Sequence, residues 1–243
     1  MGKLDGAVIV VSGGSRGIGA QISRTLAAEG ARVVIGDVLD ADGNALAAEI
    51  GGLFVHLDVT DPDDWSALVQ QATSTFGKVT GLVNNAGVVG FTPVGATSLE
   101  EWNRIISINL TGVFLGMEAA VPALKQAGGG VIVNLSSTAG MQGYSNLAAY
   151  VASKWGVRGL TKAAALDLGP DNIRVVSIHP GGIRTPMTAG LDEKAYSRQP
   201  IARIGEPEEI AKLVLFLIAD ATYSTGTEFI ADGGATVGQV LKV

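Results

Sequence analysis

A chain of 243 residues, 47% hydrophobic and 16% charged, is too apolar for disorder and long enough to bury a core without crosslinks. It has no cysteine, which excludes disulfides, thiolate metal sites and a thiol nucleophile, and fits a reducing cytoplasm. The net charge of −6 comes without any Lys/Arg cluster and argues against a nucleic-acid partner, while the longest apolar run, Leu213 to Ala219, is too short for a membrane span.

Residues 7–11 form a β-branched apolar run that reads as a first strand. Ser12-Gly13-Gly14-Ser15-Arg16-Gly17-Ile18-Gly19 follows it and opens a helical stretch. Glycines at a strand–turn–helix junction let backbone N–H groups and a helix N-terminus approach a pyrophosphate. The second strand, 32–36, ends at Asp37-Val38, with the acid 18 residues after Gly19. A carboxylate there accepts from an adenosine ribose diol and repels a 2′-phosphate, so Asp37 points to NAD(H). Arg16 pulls toward a 2′-phosphate, but it can equally serve the pyrophosphate or solvent.

Further strands are predicted at 53–56, 80–83, 131–135, 173–178 and 227–230. All are continuous apolar runs, as in a sheet covered on both faces. Helical stretches rich in Ala, Leu, Glu and Lys separate them, so the expected fold is α/β: a single Rossmann-like doubly wound parallel sheet of seven strands with helices on both faces. One domain, 1–243, is expected to bind the dinucleotide and carry the chemistry. Asp61-Pro62-Asp63-Asp64, Ser98-Leu99-Glu100-Glu101 and Glu206-Pro207-Glu208-Glu209 sign helix starts, the second as a capping box. Residues 186–200 have little periodicity and read as a loop or lid. His56 and His179 are the only histidines and lack a third ligand, so no metal is expected.

Tyr150 and Lys154 lie four apart in a predicted helix, 149–168, and share a face. A phenol ordinarily titrates near 10; bringing it to about 7 takes roughly 4 kcal/mol of differential stabilisation, which a nearby ammonium and a cationic nicotinamide can share. Ser137 follows the fifth strand, Asn85-Ala86-Gly87 the fourth, and Asn109 sits in a helix. All lie near C-terminal strand ends, where open α/β sheets bind ligands.

From the Gly turn through Asp58-Val59, Asn84-Asn85-Ala86-Gly87, Asn109, Ser137, Tyr150, Lys154 and Pro180-Gly181 to Asp232-Gly233-Gly234, the order and spacing resemble the short-chain dehydrogenase/reductase family over essentially the whole chain. Ser12 departs from the usual Thr but keeps the hydroxyl. Stretches such as Ile178-His179-Pro180-Gly181 and Thr185-Pro186-Met187-Thr188 look most like the bacterial NAD-dependent 3α(20β)-hydroxysteroid dehydrogenases. The resemblance implies hydride transfer between NAD(H) and a ketone or secondary alcohol. It implies Tyr150 as general acid or base, Lys154 on the nicotinamide ribose, Ser137 on the substrate oxygen and Asn109 on a water of a proton relay. Asp58 and Val59 would line the adenine, Asn85 to Gly87 the adenosine-ribose side. Ile183, Thr185 and Thr188 would hold the carboxamide or pyrophosphate.

Met141, Gln142, Tyr144, Leu147 and Met187 are candidate substrate contacts, mostly apolar. Two other readings compete: an acyl-carrier 3-oxoacyl reductase using NADPH, disfavoured by Asp37 and the missing basic patch, and a non-catalytic dinucleotide-binding regulator, disfavoured by the intact Tyr/Lys pair. Two long helices, 101–126 and 149–168, are apolar on more than one side and are expected to pack across subunits of a homotetramer.

Overall fold

The computed structural model describes residues 2–190, 193–197 and 199–238. Seven parallel strands form one sheet in the order β3-β2-β1-β4-β5-β6-β7, with β1 Val8–Ser12, β2 Arg32–Asp37, β3 Leu53–His56, β4 Gly81–Asn84, β5 Gly130–Leu135, β6 Ile173–Pro180 and β7 Glu228–Ala231. The predicted runs all become strands; 53–56 matches β3, and the others differ at an end by one or two residues because the neighbour's ladder, not apolarity, ends each. β1 continues to Ser12, paired with Gly36 on one side and Asn84 on the other. His179, expected just after the sixth strand, lies within it opposite Ile230.

The strands are apolar throughout because alternate side chains serve two cores. Ile9 and Val11 pack with Ile22 and Leu26 of α1 (Gly17–Ala28) and with Ile210, Val214 and Leu217 of α7 (Pro207–Ala219). Val8 and Val10 pack with Trp65 and Leu68 of α3 (Pro62–Phe76), Val113 and Met117 of α5 (Gly112–Gln126) and Val157 of α6 (Ala148–Leu168). The remaining helices, α2 (Asp40–Ile50) and α4 (Leu99–Ile106), lie beside β3 and α6.

Helix starts follow local chemistry. The Asp61 carboxylate accepts from the Asp63 N–H at 2.8 Å, ahead of Pro62. Glu206 and Glu209 complete a reciprocal box. The box predicted at Ser98 is only half made: Ser98 caps the Glu101 N–H, but the Glu101 carboxylate turns to Arg104 at 2.8 and 3.0 Å.

The expected helix 101–126 is not uniform. α4 passes through a π-helical turn, Ser107–Thr111, into α5. The run Leu99–Gln126 has the length of a membrane span (28 residues) and, over 18 of its residues, the mean hydropathy (1.5), yet Val113, Met117, Ala120 and Leu124 lie in the core. In the predicted lid, short 3₁₀ turns occupy Pro186–Thr188 and Glu193–Tyr196, while Leu191, Asp192 and Arg198 fall outside the described residues.

Strand order reverses between β1 and β4: the chain runs outward through β2 and β3, then crosses back. Neighbouring loops diverge there and leave a crevice at the C-terminal strand ends.

Candidate active site

That crevice is a cleft of about 540 Å³ running from Asp37 and Val38 at one end to Ser137, Tyr150 and Met187 at the other. The glycine turn makes its floor. Gly13 and Gly17 have φ of +60° and +55°, where a side chain is strained. A Cβ on Gly13 would meet the Ala86 Cα at 2.7 Å, so the turn lies directly on the β4 loop. The Ser12 hydroxyl accepts from the Asn85 and Ala86 N–H groups at 3.1 and 3.2 Å, and the Asn85 amide donates to the Ser12 and Gly13 carbonyls. Serine thus suffices where the family usually has Thr: one hydroxyl staples the two loops at the point of reversal.

At the β2 end, Asp37 accepts from the Ser15 N–H at 3.0 Å and the Leu39 N–H at 3.2 Å. Both oxygens are oriented and keep lone pairs toward the cleft. Arg16 also lines the cleft, but its guanidinium pairs with Asp42 of α2 at 2.7 Å. This arrangement fits an adenosine dinucleotide: a backbone cradle that a Cβ would fill, a helix N-terminus beside it, and an oriented acid one strand away.

At the far end, α6 carries Tyr150 and Lys154. Burial pushes the Tyr150 phenol's pKa up; the neighbouring Ser137 hydroxyl opposes this and the nearby Tyr144 adds to it. Lys154 is 4% exposed, its Nζ donates to the Leu135 carbonyl at 2.8 Å, and burial lowers it to about 8. The ammonium sits 5.6 Å from the Tyr150 ring centroid. Lys154 is thus aimed into the cleft by a carbonyl at the end of β5, and for the phenol desolvation is the largest influence. The sequence expectation of a phenol made more acidic is reversed in the protein alone.

Asn109 is fully buried in the π turn. Its Oδ1 accepts from the Val88 N–H at 2.8 Å, and its Nδ2 donates to the Val88 carbonyl at 2.9 Å and the Ser153 hydroxyl at 3.2 Å. The extra residue of a π turn re-aims one side chain, a device common at functional sites. Here it ties the loop after Gly87 to α6.

Of the predicted residues, Gly13, Arg16, Gly17, Ile18, Asp37, Val38, Asp58, Val59, Asn85, Ala86, Gly87, Ser137, Tyr150, Lys154, Pro180, Gly181, Ile183, Thr185, Met187 and Thr188 form the cleft wall. Six do not. Ser15 turns its buried hydroxyl toward Gly43 without a partner, and Gly19 lies beneath the turn against the Gly13 carbonyl. Asn109 lies behind Gly87. Gln142 donates to the Tyr144 hydroxyl at 2.8 Å, which donates to Thr138 at 2.9 Å, and Leu147 bridges to Thr92. Internal hydrogen bonding and a strand bridge thus hold three expected substrate contacts away from the wall. Thr188 spends its hydroxyl on the Ile183 carbonyl at 2.7 Å.

Sequence reasoning missed Leu39, Leu57, Val88, Ile108, Leu135, Ser136 and Pro186 in the wall. Several adjoin residues that were singled out, so adjacency at strand ends was the available signal.

A family model described as enoyl-(acyl carrier protein) reductase matches residues 13–236. The trans-4-hydroxycyclohexanecarboxylate dehydrogenase of Sinomonas cyclohexanicum is 50% identical, over 97% of this chain and 95% of that protein. The 3-alpha-(or 20-beta)-hydroxysteroid dehydrogenase of Mycobacterium tuberculosis is 49% identical, over 98% and 92%. A solved short-chain type dehydrogenase/reductase from Mycobacterium marinum superposes with a TM-score of 0.91 at 36% identity, covering 97% of each chain. Identity of this order along nearly all of each chain, on one shared fold, makes this protein a member of the short-chain dehydrogenase/reductase family, an oxidoreductase working with a nicotinamide dinucleotide.

Proposed function

We propose that the protein interconverts a hydrophobic, ring-bearing ketone and its secondary alcohol with NAD(H), in one cytoplasmic domain spanning 1–243. The observation that carries this is the Tyr150 phenol with Ser137 and Lys154 beside it in the cleft wall, three strands along the sheet from Asp37. When bound, the dinucleotide supplies or accepts a hydride at its nicotinamide ring, and the chain manages the proton. Tyr150 donates its hydroxyl proton to the carbonyl oxygen in reduction, or takes one from the alcohol as phenolate. Ser137 holds the substrate oxygen within reach of that proton. Lys154, charged below about pH 8, adds positive potential that favours the phenolate.

NAD(H) is favoured over NADP(H) because Asp37 presents an oriented carboxylate, while Arg16 of the same cleft wall is paired with Asp42. The same two observations stand against the 3-oxoacyl reductase reading. The Tyr150/Lys154 pair stands against a non-catalytic regulator. The relatives' names, a hydroxycyclohexane acid and a hydroxysteroid, both describe ring alcohols, and Met187, Val88 and Ile108 give the cleft apolar walls.

The test is a panel of cyclic and acyclic ketones with NADH and NADPH, run on the wild type and Tyr150→Phe. The expected result is turnover with NADH at least about tenfold better in kcat/KM than with NADPH. In Tyr150→Phe, kcat should fall by about 10²-fold or more while NADH affinity stays within about twofold. Strong NADPH preference overturns the cofactor reading, and unchanged kcat in the variant removes Tyr150 from the chemistry.

A further inference from the structure

His179 is fully buried in β6, one residue before Pro180 of the cleft wall. A buried imidazole is costly unless both nitrogens are satisfied. Here both are: Nδ1 lies 3.1 Å from the Ser137 carbonyl oxygen and Nε2 lies 2.9 Å from the Ser177 hydroxyl. A carbonyl can only accept, so Nδ1 carries the hydrogen; Nε2 then accepts from Ser177. The charged groups facing the ring are Lys154 and Arg158 of α6, which disfavour an imidazolium, and Glu228 of β7, which favours one. Burial is the largest influence and keeps the ring neutral.

The residue that His179 holds, Ser137, lines the cleft together with Tyr150 and acts on its phenol. Ser137 follows β5 in extended backbone, and its hydroxyl also accepts from the Ala139 N–H at 3.1 Å. Its carbonyl takes the Gly140 N–H at 2.9 Å from within its own turn and His179 from the neighbouring strand. The Gly140 bond travels with the turn and cannot fix its position. The imidazole ties the turn to the sheet, and a bond at the Ser137 carbonyl restrains where the Ser137 hydroxyl points.

We propose that His179 is a positioning residue for the proton-transfer site: as a neutral, Nδ1-protonated imidazole it holds the Ser137 backbone so that the Ser137 hydroxyl stays beside the Tyr150 phenol. This rests on the reading of Ser137 and Tyr150 as the reacting pair.

The chain has two histidines, so ¹⁵N-imidazole NMR of the wild type and a His56→Gln control assigns both rings. The expected spectrum is a neutral Nδ1–H tautomer for His179 at about pH 7.5. His179→Asn places an amide N–H near Nδ1, His179→Gln places it near Nε2, and His179→Leu offers neither. Asn should keep kcat within about threefold of wild type. Gln and Leu should lose at least about tenfold in kcat, with ketone KM and NADH affinity by fluorescence within about twofold.

An Nε2–H tautomer or an imidazolium at that pH overturns the proposal whatever the activity. So does equal kcat in the Asn and Gln variants, a comparison that stands even if the Leu variant fails to fold. A wild type without ketone turnover overturns the function instead, and the tautomer still decides the hydrogen bond.

Discussion

Tyr150 and Lys154 mark the limit of what spacing says about a residue. Four positions apart on a helix places them on one face, and the structure keeps them there, 5.6 Å from nitrogen to ring centroid. Spacing says nothing of burial. Lys154, nearly enclosed, titrates at about 8 rather than 10.5, which corresponds to roughly 3 kcal/mol against its charged form. Below pH 8 the amine is protonated both folded and unfolded, so the folded state carries that whole cost. Above 10.5 it is neutral in both and the cost is gone. Stability should therefore rise with pH across this window: the wild type should gain roughly 2 kcal/mol on Lys154→Met between pH 8 and 10 in denaturant unfolding. Parallel pH dependence of the two proteins would refute the buried ammonium. Arg16 and Asp37 make the same point. The sequence left them opposed, and only the Asp42 partner on α2 shows where the Arg16 charge goes.

At the scale of elements, periodicity carried most of the way. Continuous apolar runs foretold strands buried on both faces, and the two cores supply the reason. What it missed is the π turn. Residues 101–126 have one helical rhythm, and the break at Ser107–Thr111 coincides with bonds from Asn109 to Val88, 21 residues away. Likewise Glu101 had a local choice between the helix start and Arg104, and composition alone does not rank two such partners. The Gly turn was legible because its requirement is local: no side chain fits. Gly19 gives the sharpest case, since a Cβ there would lie 2.0 Å from the Gly13 carbonyl oxygen. Alanine is the better helix former, so Gly19→Ala should leave α1 helical by circular dichroism. It should displace the turn and weaken NADH binding at least about tenfold in fluorescence titration. Unchanged affinity would show that the turn is not the cradle.

For the whole molecule, the cleft draws on the ends of six strands and on the 183–188 segment, and strand order is what brings them together. The same scale decides assembly. Trp102 of α4, Phe114 of α5, and Trp155 and Leu166 of α6 are 37% to 81% exposed, with Arg158 stacked 5.0 Å from the Trp155 ring. Large apolar residues left on two long helices are what a symmetric interface buries. Light scattering at micromolar concentration should give four times the 24.8 kDa chain mass, and Trp155→Glu should lower it. A monomer in the wild type would leave those side chains without a purpose.

Local patterns in the chain were enough to determine the strands, most helices, the phosphate turn, the acid after β2 and the shared face of Tyr150 and Lys154, because each depends on neighbours within a few residues. Tertiary structure alone decided the strand order, which candidate residues reach the cleft, the direction in which burial moves the phenol and the amine, and the tie from His179 to Ser137, 42 residues apart. Burial and desolvation depend on atoms brought together from the whole chain, and no window of sequence contains them.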